Sequence, residues 1–312
     1  MMSVYNTKRA IMKKIILISL FASASLLASP YSCDAHHQEC KTDSVTVVAD
    51  QSVVNEIVVN PTRMSLANNN KRAAVNAQFI YSGDVTVINL PAGYNVTDNI
   101  GMELNVPMVS VSNFNVWNPL TFQNEKETNM GLGDISVGAN YHFGNYGSDY
   151  GVNVSTFRYK TTTGDEKKGL GLGKDAYTFS HNFAKDTQYL RVHALLSYTL
   201  NDDKVLGNAL MAMAGISRPC LLNDKLRTNI KLTYFNLDET TQNNFTNSSG
   251  FKKVDLWIAF NSDKLFSGIP VGAGIKIPIV DEVSFKDFSG VNQTTNGSKT
   301  ILFYLSAGSF FK

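Results

Sequence analysis

The sequence predicts an all-β fold, a closed antiparallel transmembrane β-barrel of about twelve strands. Three observations support this fold class. Apolar and polar residues alternate through most of the chain after residue 72. Several alternating segments reach the about 9–11 residues that a tilted strand needs to cross a bilayer. The polar face carries charged side chains, which a soluble core would not hold unpaired.

The segment at residues 132–143, LGDISVGANYHF, shows the alternation clearly. One face of this strand is apolar and is expected to contact lipid: Ile135, Val137, Ala139, Tyr141 and Phe143. The other face is polar and is expected to line the interior: Asp134, Ser136, Gly138, Asn140 and His142. Segments around residues 97–110, 188–201, 225–237, 252–261 and 267–278 follow the same pattern.

Twelve such segments agree with the even strand number of closed antiparallel barrels. The barrel domain is predicted over 72–312, with strands near 72–83, 84–93, 97–110, 132–144, 148–163, 175–184, 188–201, 204–218, 225–237, 252–261, 267–278 and 299–311. Lipid offers no partner to an open sheet edge, so the sheet is expected to close. Long polar stretches at 116–132 and 281–299 are predicted as loops at one rim, and turns at 201–204, 221–224 and 261–268 at the other.

The N-terminus is predicted to direct export. Lys13 and Lys14 precede an apolar stretch that ends near Ala28, which is typical of a signal peptide over 1–29 and is too short for a spanning helix. Residues 30–71 are predicted to form a flexible periplasmic tail. Within it, CDAHHQEC brackets two histidines; a disulfide between Cys33 and Cys40 is favoured over a soft-metal site.

The composition argues against several functions. The chain has 28 Lys and Arg against 26 Asp and Glu, a net charge of +2 that gives no basis for binding nucleic acid. The five histidines share no local signature with a nucleophile or a metal site, so no enzymatic activity, cofactor or metal is expected.

The candidate lumen and transport residues are the polar-face residues Glu103, Asp134, Asn140, His142, Arg191, His193, Arg227, Lys231, Lys253, Asp255 and Lys276. Their mixed signs indicate an interior of mutually paired charges, and filling a narrow barrel is an equally good reading of any one of them.

A glycine-rich stretch, GDEKKGLGLGK at 164–174, invites comparison with phosphate-binding loops. Such loops lead into a helix, whereas DAYTFSHNF, which follows here, alternates as a strand. The stretch is therefore predicted as a rim loop, most simply solvated and alternatively a gate that folds partly over the lumen.

Three segments resemble one family: LPAGYNVTDNIGMELNVPM, GLGDISVGANYHF and TGDEKKGLGLGKDAYTFSHNF. They are similar to the outer-membrane proteins grouped under the meta pathway of phenol degradation. The family motif falls on Thr163, Gly164, Asp165, Gly169, Gly171, Gly173 and Asp175. The family's usual proline before this turn is absent, since Lys160, Thr161 and Thr162 stand there.

The resemblance implies transport of hydrophobic or aromatic compounds across the outer membrane of a Gram-negative bacterium. The expected partners are outer-membrane lipid, small hydrophobic or aromatic solutes and the barrel-assembly machinery. The sequence thus favours a passive, porin-like channel. Two alternatives stay open, a barrel enzyme acting on envelope lipid or protein and a structural or adhesive surface protein.

Overall fold

A computed structural model describes residues 73–118, 123–144, 148–171, 173–202, 208–221, 226–237, 249–266, 269–286, 292–296 and 301–311. The predicted signal peptide and tail, with Cys33 and Cys40, lie outside these residues. No helix in the described ranges is long and apolar enough to cross a membrane.

The described chain forms fourteen β-strands and one short 3₁₀ helix. The strands are β1 (Ala73–Ser82), β2 (Val85–Asn95), β3 (Ile100–Asn118), β4 (Gln123–Leu132), β5 (Ser136–Phe143), β6 (Val152–Lys160), β7 (Ala176–Asp186), β8 (Arg191–Asn201), β9 (Ala209–Leu221), β10 (Leu226–Leu237), β11 (Ser249–Phe266), β12 (Ile269–Lys286), β13 (Asn292–Asn296) and β14 (Leu302–Phe311). The 3₁₀ helix spans Glu166–Lys168, between β6 and β7.

All pairings are antiparallel and the sheet closes on itself, because β1 pairs with β14 and β11 pairs with β12. The ring runs β1-β2-β3-β5-β6-β7-β8-β9-β10-β11-β12-β14. β4 extends the line of β5 along the same edge of β3, and β13 extends β14 along β12. The ring therefore has twelve strands, two of them interrupted, which confirms the predicted barrel.

Each predicted strand segment overlaps one strand of the ring, but the two long polar stretches predicted as loops are largely strand. β3 reaches Asn118 and pairs with β4, and β12 reaches Lys286 and pairs with β13. Their polar composition shows only that these segments leave the apolar band. A hydrogen-bonded hairpin outside lipid needs no apolar face, so a polar composition does not exclude a strand.

The two rims differ in their connections. The rim that holds the start of β1 and the end of β14 also has the connections at 96–99, 144–151 and 187–190. The opposite rim, called here the loop rim, has the 161–175 connection. β8 ends at the loop rim, so the turn at 201–204 lies there and not beside the turn that follows β9. The prediction from the length of the connection placed this turn at the wrong rim, because short connections occur at both rims.

The two faces of the wall follow the predicted alternation. Along β5, Val137, Ala139, Tyr141 and Phe143 are exposed on the outer face, whereas Ser136, Asn140 and His142 are buried on the inner face. Exposed large apolar residues continue around the ring, among them Met102, Leu104, Phe157, Phe179, Leu196, Ile230, Leu232 and Phe303. The packed core thus lies inside the barrel, and an apolar surface covers its outside.

Candidate functional site

An apolar cluster fills part of the interior. Its buried members are Ile80, Val85, Val87, Val109, Val111, Leu170, Leu195, Ala209, Met211, Met213, Phe235, Leu237, Trp257 and Leu302, with Tyr304 packed against them. Most of them belong to the halves of their strands nearest the loop rim. The apolar part of the interior therefore lies towards that rim, while buried polar side chains such as Asn140, Asn182 and Asn229 lie towards the other.

A buried ion pair connects β3 and β6 on the interior wall. Nε of Arg158 donates to Oε1 of Glu103 at 2.9 Å, and both side chains are buried. The two strands are not neighbours, because β5 lies between them. Gly138 of β5 makes the contact possible, since a side-chain carbon there would lie 2.9 Å from both Cγ and Oε1 of Glu103. The pair thus spans the width of three strands.

On the far side of the ring, two lysine–aspartate pairs connect β11 and β12. Nζ of Lys276 lies 3.5 Å from Asp255, and Nζ of Lys253 lies 3.7 Å from Asp281. All four side chains are almost completely buried. Buried charges of this kind cost several kcal/mol each unless opposite charges or hydrogen bonds compensate them.

The break between β4 and β5 is bridged by a side chain. The hydroxyl of Thr163 donates to the carbonyl of Gly133 at 2.9 Å and accepts from the backbone N–H of Ile135 at 2.8 Å. Thr161 donates to the carbonyl of Ile135 through both its N–H and its hydroxyl. The first residue of the family motif therefore completes the hydrogen bonding of the interrupted strand.

Asp134, inside the same break, holds the start of the glycine-rich loop. Its Oδ1 accepts from the backbone N–H of Gly164 at 2.9 Å, and its Oδ2 lies 3.8 Å from Nζ of Lys160. Asp165 caps the 3₁₀ helix by accepting from the N–H of Lys167.

The loop that follows is only partly solvated. Its charged residues, Asp165 to Lys168, are exposed, as the rim-loop prediction requires. Gly164 and Leu170 are buried, and Leu170 joins the apolar cluster beside Val109 and Val111. The expected solvated loop is therefore confirmed for the charged part, Asp165 to Lys168, whereas Leu170 lies inside the rim. Gly169, Gly171, Gly173 and Asp175 flank this inward turn.

A second interior group collects hydrogen-bond donors. His193 of β8 and Lys231 of β10 both stand opposite Gly215 of β9, and Trp257 of β11 stands opposite Lys231. A side-chain carbon at Gly215 would collide with Nε2 of His193 and lie 2.8 Å from Cγ of Lys231, so both side chains lean over this glycine.

These donors are not engaged within the described chain. Neither Nε2 of His193 nor Nε1 of Trp257 has a hydrogen-bond partner there, although both atoms are buried. Lys231 makes no ion pair with any described residue. We call His193, Lys231 and Trp257 the donor group.

The remaining predicted lumen residues occupy different positions. Asn140 and His142 are buried on the inner face of β5. Arg191 lies at the rim opposite the loop rim and makes a bidentate pair with Asp186 at 2.7 and 3.0 Å. Arg227 donates to the hydroxyl of Ser217 at 3.4 Å.

Four interior residues are not among the predicted lumen residues: Arg158, Lys160, Asp281 and Trp257. Trp257 has the same parity as Lys253 and Asp255, so the alternation already placed it on the inner face. Trp257 was not predicted as a lumen residue because the predicted lumen residues were all polar.

The fold is similar to that of an outer membrane channel of Pseudomonas putida, with a TM-score of 0.54 at 10% sequence identity, covering 77% of this chain and 96% of that one. The KdgM and NanC porins each give a TM-score of 0.45 at 10% identity, covering 77% of this chain and 99% of theirs. At this identity, the likeness to the channel shows a similar fold alone. No model of a protein family and no curated protein matches the sequence. Membership of the phenol-degradation family thus stays a prediction.

Proposed function

We propose that the protein is an outer-membrane β-barrel through which small hydrophobic or aromatic molecules pass passively. The apolar outer surface supports a location in lipid, because a soluble barrel would not expose Leu196, Leu232, Phe303 and their neighbours together. In closed barrels of this kind the longer loops face the exterior of the cell. The loop rim is accordingly the extracellular one.

The donor group carries the proposal for the solute. Trp257 packs against Tyr304 with ring centroids 5.9 Å apart, and Lys231 stands directly beside Trp257 across the β10–β11 pairing. Aromatic faces bind a ring, while an ammonium and the two N–H groups bind an anionic oxygen. We therefore favour aromatic acids, with the ring against Trp257 and the carboxylate towards Lys231 and His193.

Leu170 supports a gating role for the glycine-rich loop. Its side chain lies in the apolar cluster near the loop rim, whereas the charged residues beside it stay in water. A solute that enters from this rim meets Leu170 before it meets the donor group. The loop is thus placed to narrow the entrance while it remains attached at Asp134 and Gly133.

Uptake into liposomes tests the proposal. The refolded protein is reconstituted, and entry of labelled benzoate is measured beside entry of arabinose, a neutral polar solute of similar size. We expect benzoate to enter faster than arabinose, and Lys231→Met to remove most of that advantage. Lys252→Met is the matched control, because Lys252 is exposed on the outer face of the same sheet. If liposomes with the protein take up neither solute faster than empty liposomes, the channel proposal is wrong.

A further inference from the structure

Three polar residues lie together on the outer face of the barrel, on strands β6 and β7. Ser155 and His181 stand directly opposite each other in the β6–β7 pairing, and both are exposed. Asn153 lies two residues from Ser155 on the same face. Their neighbours Val152 and Val154 point inward and are completely buried. The group therefore belongs to the outer surface and has no part in the interior site.

The three side chains form one chain of contacts. The hydroxyl of Ser155 lies 3.0 Å from Nδ1 of His181, and Nε2 of His181 lies 3.2 Å from Oδ1 of Asn153. The amide Nδ2 of Asn153 donates to the carbonyl of Tyr150 at 2.9 Å. This last contact fixes the amide, because a carbonyl can only accept, so the amide oxygen of Asn153 is the atom that faces the imidazole.

A single tautomer of His181 satisfies every contact. Since Oδ1 of Asn153 is an acceptor, Nε2 of His181 carries the proton and donates it. Nδ1 then has a free lone pair, and the hydroxyl of Ser155 is the donor to it. A neutral imidazole whose lone pair faces a serine O–H is the arrangement of a general base beside a nucleophile, with Asn153 as the group that orients the base.

An apolar groove runs beside these residues. It has a volume of about 760 Å³ and its lining includes Ser155 and His181 themselves. The rest of its outer-face lining is almost entirely apolar, including Ile100, Phe157, Phe179, Leu196 and Leu210. Phe157 and Phe179 pack with ring centroids 4.9 Å apart. Such a surface accommodates an alkyl chain next to the hydroxyl.

The depth of the group suits an ester of a membrane lipid. Ser155 is three residues from the first residue of β6, which places it about 10 Å along the strand from the rim. Tyr150 and Tyr189 are strongly exposed at that same rim, at 78% and 69%. Aromatic residues of this kind mark the membrane–water interface of barrels. The hydroxyl thus lies just inside the interface, between headgroups and acyl chains.

We propose that Ser155, His181 and Asn153 form a hydrolytic site for acyl esters of membrane lipids, with the alkyl chain in the groove. Ser155 and His181 are the catalytic residues and Asn153 is a positioning residue. The proposal relies on the membrane location proposed above but not on transport, and it departs from the sequence-based expectation of a protein without enzymatic activity.

The reaction is a net hydrolysis. Oγ of Ser155 bonds to the ester carbonyl carbon while its proton moves to Nδ1 of His181. The bond from that carbon to the alkoxy oxygen then breaks, and His181 returns the proton to the departing alcohol. Water attacks the acyl–serine, gives one proton to Nδ1, and the bond to Oγ breaks as Ser155 regains its proton. An ester and water thus become an alcohol and a fatty acid.

The site has no local signature in the sequence, because its members come from two strands and the register of those strands sets the contacts. The alternation signalled it weakly, since Asn153, Ser155 and His181 are polar residues at positions where the pattern of β6 and β7 calls for apolar ones. Polar groups on a lipid-facing surface are costly unless they are paired.

Covalent labelling tests the proposal most directly. The full-length refolded protein is treated with an alkyl fluorophosphonate, and the modified serine is identified by mass spectrometry. We expect the label on Ser155 and none on Ser309, an exposed outer-face serine of β14 that pairs opposite Val75 and has no histidine beside it. His181→Gln should abolish labelling. A folded wild-type barrel that stays unlabelled at Ser155, or equal labelling in His181→Gln, would overturn the site.

Fatty-acid release from phosphatidylethanolamine vesicles supplies the second measurement. Ser155→Ala should lose at least about 100-fold in rate, as the loss of a nucleophile and its base predicts, while Ser309→Ala keeps the wild-type rate. Asn153→Ala should lower kcat with little change in KM. Benzoate uptake by Ser155→Ala should equal that of the wild type, so failure of hydrolysis and failure of transport are distinguishable. Release that survives Ser155→Ala would contradict the proposal.

Discussion

The inner and outer faces of strands β5 to β7 come from the same residues in alternation, yet they handle polar groups differently. On the inner face, full charges such as Glu103 and Arg158 are tolerated because each finds a partner. On the outer face, the polar side chains between the rims are a serine, an asparagine and one histidine, which bond to one another. Lys185, the charged residue on this face of β7, lies near the rim, where its Nζ donates to the carbonyl of Asp149. On these strands the buried full charges are paired with opposite charges, whereas the outer-face polar groups away from the rim are satisfied by neutral hydrogen bonds.

Breaking an inner pair should have the largest effect on stability. Arg158→Met removes the 2.9 Å partner of a buried carboxylate, so we expect a loss of about 3–5 kcal/mol in the free energy of unfolding. Urea titration of the barrel in lipid vesicles measures it. The double variant with Glu103→Gln should recover most of the loss. No recovery would show that the two side chains are not coupled.

Placing a charge on the outer face tests the other half of the comparison. Val137 is exposed on the outside of β5, and Val137→Arg should cost about 2–4 kcal/mol if its depth is near the middle of the bilayer. The same vesicle titration applies, with Val137→Leu as the control that keeps the surface apolar. Equal stabilities for the two variants would mean that this face does not contact lipid.

A smaller loss is expected where a neutral group joins the two interrupted strands. Thr163→Val removes the hydroxyl that bonds both Gly133 and Ile135, so the free energy of unfolding should fall by about 1–3 kcal/mol. Thr162→Val is the matched control, since Thr162 is exposed and makes no hydrogen bond within the described chain. If the two valine variants have the same stability, the hydroxyl bridge is not formed.

A change at the loop rim tests the gating role through flux. Leu170→Ala shortens the side chain that enters the apolar cluster near the loop rim, and benzoate uptake should rise severalfold. Lys168→Ala, on the exposed part of the same loop, should leave uptake unchanged. Unchanged uptake in Leu170→Ala would remove the gating role while leaving the channel proposal intact.

The sequence was sufficient to predict which side chains face inward and outward along each strand, but not which inward-facing side chains contact one another across strands. Period-two alternation separates Val137 from Ser136 without any knowledge of neighbours, because side chains on a strand point to opposite faces in turn. The contact of Glu103 with Arg158 depends on the register of β3, β5 and β6 together, which alternation leaves undetermined. The same limit explains the donor group, whose members come from β8, β10 and β11.

The glycine-rich loop shows a different limit. Its charges correctly predicted exposure for Asp165 to Lys168, but Leu170, two residues further on, turned inward. Nothing in the local composition shows that a break at residues 133–135 leaves room for this turn. Thr163 likewise looked like an ordinary turn residue, since its partners are 28 and 30 positions away along the chain.

That distance along the chain has a consequence for the order in which the barrel is built. The carbonyl of Gly133 and the N–H of Ile135 receive their partner only when Thr163 arrives at the end of β6. Until β6 pairs with β5, these two backbone groups therefore lack this partner, in addition to the unpaired groups along the open edge of β5. If β6 paired in any other register, the carbonyl of Gly133 and the N–H of Ile135 would not meet this hydroxyl. The hydroxyl of Thr163 thus stabilises the observed register of β6 against β5 relative to any shifted register.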